Sequence, residues 1–146
     1  MQIFIFFTVM AIFGIFFNAM NVLLYSPSHF YLSPTLIYSG CFMASTMFCA
    51  HEIIHFFTKS HCNIQLFILG IVLSLFFAFL LRKQVGINSA SWMRRMIPHH
   101  STALTTSTQL LRNNPAIGEF PKKLAENIIT TQEEEISAMK KYLEKN

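Results

Sequence analysis

Two short stretches carry side chains whose types and spacing do chemistry. The first is HEIIH, His51 to His55. Two histidines four apart on a helix with a glutamate between them are the zincin arrangement, in which the imidazoles hold zinc and the carboxylate activates water. That chemistry needs a third ligand from elsewhere. The chain contains no aspartate, and His61 is the nearby candidate. The plainer alternative for Glu52 is a partnership with a histidine or with Lys59, because an ionisable side chain in an apolar span needs a partner.

HEIIH also extends a longer row. Met43, Met47, His51 and His55 recur every four residues, so each neighbouring pair shares a helix face. Four residues overshoot the 3.6-residue turn by about 40°, and the row winds around the helix. Thioether and imidazole donors, with the thiols of Cys41 and Cys49 on the same stretch, suit Cu(I) and, by softness, Ag(I). Methionine also fills gaps between helices, and from this pattern alone core packing is the favoured account of the row.

The second stretch is MIPHH, Met96 to His100. Met96 lies i,i+3 to His99 and i,i+4 to His100, while Gln132, Glu135 and Met139 share a face of a later helical segment. A hairpin joining the two faces brings imidazole, thioether and carboxylate groups together. Adjacent histidines point about 100° apart, and His100 is the inward one here, in line with Met96, Ala103, Ser107 and Leu110. Polar helix–helix contacts are the alternative role for this histidine pair.

The elements that position these residues follow from composition. From Met1 to Leu81 the charged side chains are Glu52 and Lys59 alone, and 53% of the chain is hydrophobic, with 16 phenylalanines. A membrane helix needs about 20 apolar residues. Three stretches qualify, at about 3–25, 36–57 and 64–81, giving a membrane part over 1–81 and a polar C-terminal part over 82–146. The linker SPSHFYLSP reads as a loop, and the short link Thr58 to Asn63 makes a tight hairpin of the second and third spans. Three spans place the C-terminal part on the side of the first loop and put HEIIH near the opposite surface. The charge rule counts Arg82 and Lys83 against Lys59 and weighs toward a cytoplasmic C-terminal part.

In the polar part, helical periodicity predicts one helix over Ser89 to Asn113, capped by Asn88 or Ser89, with Pro98 kinking or restarting it. A second helix runs from about Pro121 to Glu144, with Leu124, Ile128, Ile136, Met139 and Leu143 on its apolar face. The fold class is all-α: three transmembrane helices followed by a helical hairpin. So small a hairpin core calls for packing on the membrane part or for dimerisation, and a homo-oligomer is expected. With no long basic run and no aromatic–basic interleaving, nucleic-acid binding is excluded. Helix 89–113 has no carboxylate, which excludes a di-iron carboxylate centre. No nucleophile–base–orienter set is evident, and the chain does not read as an enzyme.

SWMRRMIPHHSTALTTSTQLL followed by LAENIITTQEEEISAMKKYL resembles the domain of unknown function 305 (DUF305) family. The residues that carry the resemblance are Met96, Ile97, Pro98, His99 and His100, then Ile128, Ile129, Gln132, Glu135, Ile136 and Met139. The whole chain is similar to a three-span membrane subgroup of that family with a methionine-rich second span. The resemblance implies a ferritin-like hairpin and a protein linked to copper or silver handling. The candidate metal residues are Met96, His99, His100, Gln132, Glu135 and Met139, with Met43, Met47, His51 and His55 as a secondary group. It also implies a multi-pass protein of the bacterial inner (plasma) membrane with an extracytoplasmic C-terminal domain. The expectation is a membrane-anchored metal-binding protein that binds, buffers or delivers Cu(I) or silver through Met and His ligands, with the lipid bilayer and the metal ion as partners. A non-catalytic interaction or dimerisation module with structural histidines is the alternative, and a zinc metallopeptidase on HEIIH the third reading.

Overall fold

A computed structural model describes residues 2–60 and 62–145. Among these residues there is no strand. The helices are α1 (Gln2–Phe16), the single turn α2 (Ala19–Val22), α3 (Pro34–Lys59), α4 (Ile64–Lys83), α5 (Ser89–Asn113) and α6 (Glu119–Lys145), with a 3-10 turn at Pro27–His29. The chain divides into two compact units. One holds Met1–Asn18 and Pro34–Ile87, the other Ala19–Ser33 and Asn88–Asn146.

In the first unit α3 packs against both α1 and α4. Glycines set both contacts. A methyl group on Gly40 would lie 2.8 Å from the Ala11 carbonyl oxygen of α1, and one on Gly70 would lie 3.0 Å from the Phe48 Cβ. Backbones come this close only where a side chain is absent, and small residues are how apolar helices associate when lipid competes for their larger side chains. Ala11, Ala44 and Ser45 are buried in the same contacts. Hydroxyls along α3 and α4 bond back to their own helices, Ser45 to the Cys41 carbonyl and Ser74 to the Gly70 carbonyl, each at 2.7 Å.

Among the described residues, two stretches are long and apolar enough to cross a membrane, Ile3–Val22 and Ile64–Lys83. Only 11% and 6% of these stretches is buried. Their apolar side chains therefore point outward, unlike those of a soluble core helix. The stretch expected as a second span, 36–57, lies inside the 26-residue helix α3, which is long enough to cross at 1.5 Å per residue but is not apolar enough to count with the other two. Its hydroxyls, His51, Glu52 and His55 dilute its apolar content. The stretch expected as one span over 3–25 is interrupted after Phe16. There Asn18 turns back and its Nδ2 donates to the carbonyls of Gly14 and Ile15, at 3.1 and 2.9 Å. A side-chain amide that satisfies terminal carbonyls ends a helix.

In the second unit α5 and α6 pair as a hairpin around Ile97, Leu104, Ile136 and Met139. Asn88 caps α5, its side chain accepting from the Ser91 N–H at 2.8 Å, which is the cap and the start read from the sequence. Pro98 is buried, and α5 runs on through it without restarting. The segment Ala19–Ser33, expected to belong with the membrane part, packs along this hairpin. Ser101 Oγ accepts the Tyr25 N–H at 2.8 Å and lies 2.9 Å from His29 Nδ1. Lys140 donates to Ser28 Oγ at 3.2 Å, the Arg95 guanidinium meets the Met20 thioether, and Tyr31 packs on the core.

Candidate functional site

HEIIH has a structural geometry. Glu52 is 3% exposed. Its Oε2 accepts the backbone N–H of Asn63 at 2.7 Å, and its Oε1 lies 3.0 Å from His51 Nδ1. Asn63 is the N-cap of α4, its own side chain accepting from the Leu66 N–H. The carboxylate thus sits at the positive end of α4 and ties the end of α3 to the start of α4. A general base for a zinc-bound water needs its oxygens turned to that water; both oxygens of Glu52 are engaged elsewhere. His51 and His55 do come together, with ring centroids 4.4 Å apart, and His51 also lies against Phe6. His61, the expected third ligand, lies outside the described residues. Of the methionine row, Met43 packs beside Gly14 of α1, and Met43 and Met47 are both exposed.

The hairpin gathers half of its expected set into one polar contact. His100 Nδ1 is 2.9 Å from Glu135 Oε2, and the same oxygen accepts from Gln132 Nε2 at 3.2 Å. The His100 contact is close but off the line of a hydrogen bond, so this buried nitrogen has no aligned partner. Burial holds the His100 imidazole below its usual range; Glu135 pulls it up and His99 down. Of the two histidines, His100 is the inward one and His99 is exposed, with ring centroids 5.8 Å apart. Met139 belongs to the apolar core, and Met96 packs against that core partly buried. Leu110 and Leu124, expected on the inward faces, are exposed. Among the described residues no three His, Cys or acidic side chains converge.

A cleft of about 410 Å³ in the same unit was not visible in the sequence. Its lining includes His29, Glu133, Ser137 and Lys140. His29 is held below its usual range by burial and then by Lys140. His29 lies more than a hundred positions from Glu133, Ser137 and Lys140, and no spacing rule links it to them. A histidine and a serine beside two prolines in the first loop were the sole local signal.

Residues 89–146 match the family described as domain of unknown function (DUF305). The match supports that family for the hairpin. An uncharacterized protein of Acanthamoeba polyphaga mimivirus is 35% identical over 91 residues, covering 59% of this chain. The chain covers 57% of that protein's length. The aligned stretch is longer than the DUF305 segment, so the likeness extends ahead of Ser89. No solved structure matches the chain.

Proposed function

We propose that this is a membrane-anchored protein whose DUF305 hairpin binds a soft metal ion, Cu(I) or Ag(I), to buffer or deliver it. One observation carries the reading: the mostly buried His100 has the Glu135 carboxylate at its Nδ1. The carboxylate lies close to Nδ1 but off the hydrogen-bond line, and aligning it as metal binds fixes the ring and leaves the other nitrogen as the ligand. His100 supplies that imidazole and Met96, one turn earlier on α5, a thioether. Gln132 steadies Glu135, and Met139 contributes from the core. Exposed His99 is the residue through which an ion is passed on. Imidazole with thioether fits a soft monovalent ion better than zinc. His51 and His55, with Met43 and Met47, form the secondary group in the first unit.

The anchor in this proposal is three spans, α1, α3 and α4. The outward apolar faces of α1 and α4 and the glycine contacts of α3 support it. The hairpin is assigned to the extracytoplasmic side, and a ferritin-like arrangement and a homo-oligomer belong to the same proposal. The bacterial plasma membrane rests on the resemblance alone, since the curated relative is viral. The exposed aromatic and aliphatic side chains of the hairpin favour a second reading, an interaction module with structural histidines.

The two readings separate in a Cu(I) titration of the full chain in detergent against a competing chelator. Metal binding predicts that the wild type removes Cu(I) from the chelator and that His100→Ala and Met96→Leu do so about tenfold less well, with Glu135→Gln between them. Equal competition by all four proteins would leave the interaction module as the better reading.

A further inference from the structure

The cleft of about 410 Å³ takes no residue from the proposed metal groups, and every residue lining it lies in the second unit. Its floor is apolar, from Leu104 of α5 and Ile136 of α6, both buried. Its wall on α6 carries opposite charges at its two ends. Glu133, Ser137 and Lys140 are spaced i, i+4 and i+7, so they share one helix face with Ser137 between the charges. Among the described residues neither Glu133 nor Lys140 has an ion-pair partner. Lys140 donates to Ser28 Oγ at 3.2 Å and is close enough to His29 to oppose protonation of its ring. The hydrogen-bond network fixes the tautomer of that ring. Ser101 is fully buried and its Oγ accepts the Tyr25 N–H, so its own hydrogen goes to His29 Nδ1, at 2.9 Å. The imidazole hydrogen is therefore on Nε2, the ring nitrogen that Ser101 leaves to the cleft. One end of the cleft thus offers an ammonium, an imidazole N–H and the Ser26 hydroxyl, and the other a carboxylate.

We propose that this cleft binds a phosphate ester carrying a primary amine, the chemistry of ethanolamine phosphate, with the phosphate at Lys140 and His29 and the amine at Glu133. Charge decides the polarity of the ligand. A simple anion would meet Glu133 and a simple cation Lys140, whereas a zwitterion complements both ends. Donor type decides the anionic half. A lysine ammonium recognises phosphate as a point charge, and among the described residues no arginine lines the cleft to grip a planar carboxylate in two places. The further phosphate oxygens take the imidazole N–H and the serine hydroxyls. Length decides the spacer. Seven residues of helix separate Glu133 from Lys140 by about 10 Å. A charge-assisted hydrogen bond at each end takes up about 3 Å, which leaves about 4 Å between a phosphate oxygen and the amine nitrogen. Two methylene groups span that distance and lie over Leu104 and Ile136. The cleft has room for a substituent on the phosphate as well. The same chemistry therefore has two sources, a soluble ester and a phospholipid headgroup.

The test follows the His29 ring in carbon–proton spectra of the full chain, with a metal chelator present and ionic strength held constant. The signal is assigned by its loss in His29→Gln. In maltoside micelles, added O-phosphoethanolamine should shift it saturably. Lys140→Gln should weaken binding about tenfold, the scale of a hydrogen bond to a charged group. Glu133→Gln should weaken it about fivefold, the scale of a surface charge pair. Glu133 is exposed and Lys140 partly so, and helicity should be unchanged in both variants. Inorganic phosphate, which lacks the amine, should bind the wild type more weakly than the ester does and should bind Glu133→Gln more tightly than the wild type. Damage to the fold would not give that reversal. Phosphatidylcholine nanodiscs separate the two sources. A shift that needs the added soluble ester assigns the cleft to a soluble ligand, and a shift produced by phosphatidylethanolamine in the disc assigns it to a lipid headgroup. A His29 signal unmoved by both, equal affinity in Lys140→Gln, or inorganic phosphate binding as well as the ester with no gain in Glu133→Gln would each overturn the proposal. No metal takes part, and none of these residues belongs to the proposed Cu(I) set, so this result and the Cu(I) titration fail independently.

Discussion

Glu52 is the residue on which the peptidase reading and the clamp geometry disagree most sharply. Replacing it with alanine removes the acceptor of the Asn63 N–H at 2.7 Å and the contact with His51 Nδ1 at 3.0 Å. His51 is partly exposed and finds another partner. The Asn63 N–H lies at the N-cap of α4 and is left unmet, at a cost of about 1–3 kcal/mol. A bond to an ionised acceptor falls at the upper end of that range, so Glu52→Ala should destabilise the α3–α4 hairpin by about 2–3 kcal/mol. Glu52→Gln keeps a carbonyl oxygen for Asn63 and loses only the charge, for about 1 kcal/mol. The assay is unfolding of the full chain in mixed micelles with rising SDS, read by circular dichroism and by thiol labelling of Cys62 beside the clamp. The order wild type, Gln, Ala is expected, with Cu(I) binding unchanged in all three. Unaltered stability in Glu52→Ala, or a proteolytic product that vanishes in Glu52→Gln, would refute the clamp.

Three further outcomes are expected. Ser101→Ala removes the acceptor of the Tyr25 N–H and the partner of His29, so the second unit should lose about 1–3 kcal/mol, and amide exchange over 25–31 should speed up in full-chain exchange measurements. His29 is held below 6.5 when folded, by burial and by Lys140, so the unfolded chain takes up its proton first as pH falls. Stability from this group is complete above 6.5 and drains away as pH drops toward the folded value; a pH series of denaturation midpoints, flattened in His29→Gln, checks this. Gly40→Val puts a branched side chain where one carbon already lies 2.8 Å from the Ala11 carbonyl, and should destabilise the α1–α3 contact by about 1–3 kcal/mol in the same SDS assay.

The hairpin was readable because its signals are local. The Asn88 cap, the apolar spacing of Ile97 and Leu104, and the Pro–Gly connector act within a few residues, and α5 begins and ends where they say. His100 as the inward histidine followed from the 100° step and is what the structure shows. Features that depend on tertiary closure were not readable. The partner of Glu52 is a backbone N–H eleven residues on, which exists as a partner only once α3 and α4 have folded together. The segment Ala19–Ser33 read as loop and end of span because its ties to Ser101 and Lys140 are long-range. Met139 matches both a ligand and a core residue by type and spacing, and its burial with Ile97, Leu104 and Ile136 was not readable from either. The break after Phe16 had a visible cause in Asn18, but its apolar neighbours outweighed one amide in the hydropathy reading.

The central claim, a soft-metal site on His100 and Met96, is tested most directly by following the methionine methyl groups of the full chain in detergent while Ag(I) is added. With eight methionines, carbon–proton spectra resolve which thioethers respond, once each signal is assigned by substitution. The account predicts that Met96 shifts first and saturably, with a smaller response from Met139, and that both responses disappear in His100→Ala. Methyl signals of Met96 and Met139 that stay fixed under Ag(I), or that shift equally in His100→Ala, would contradict it.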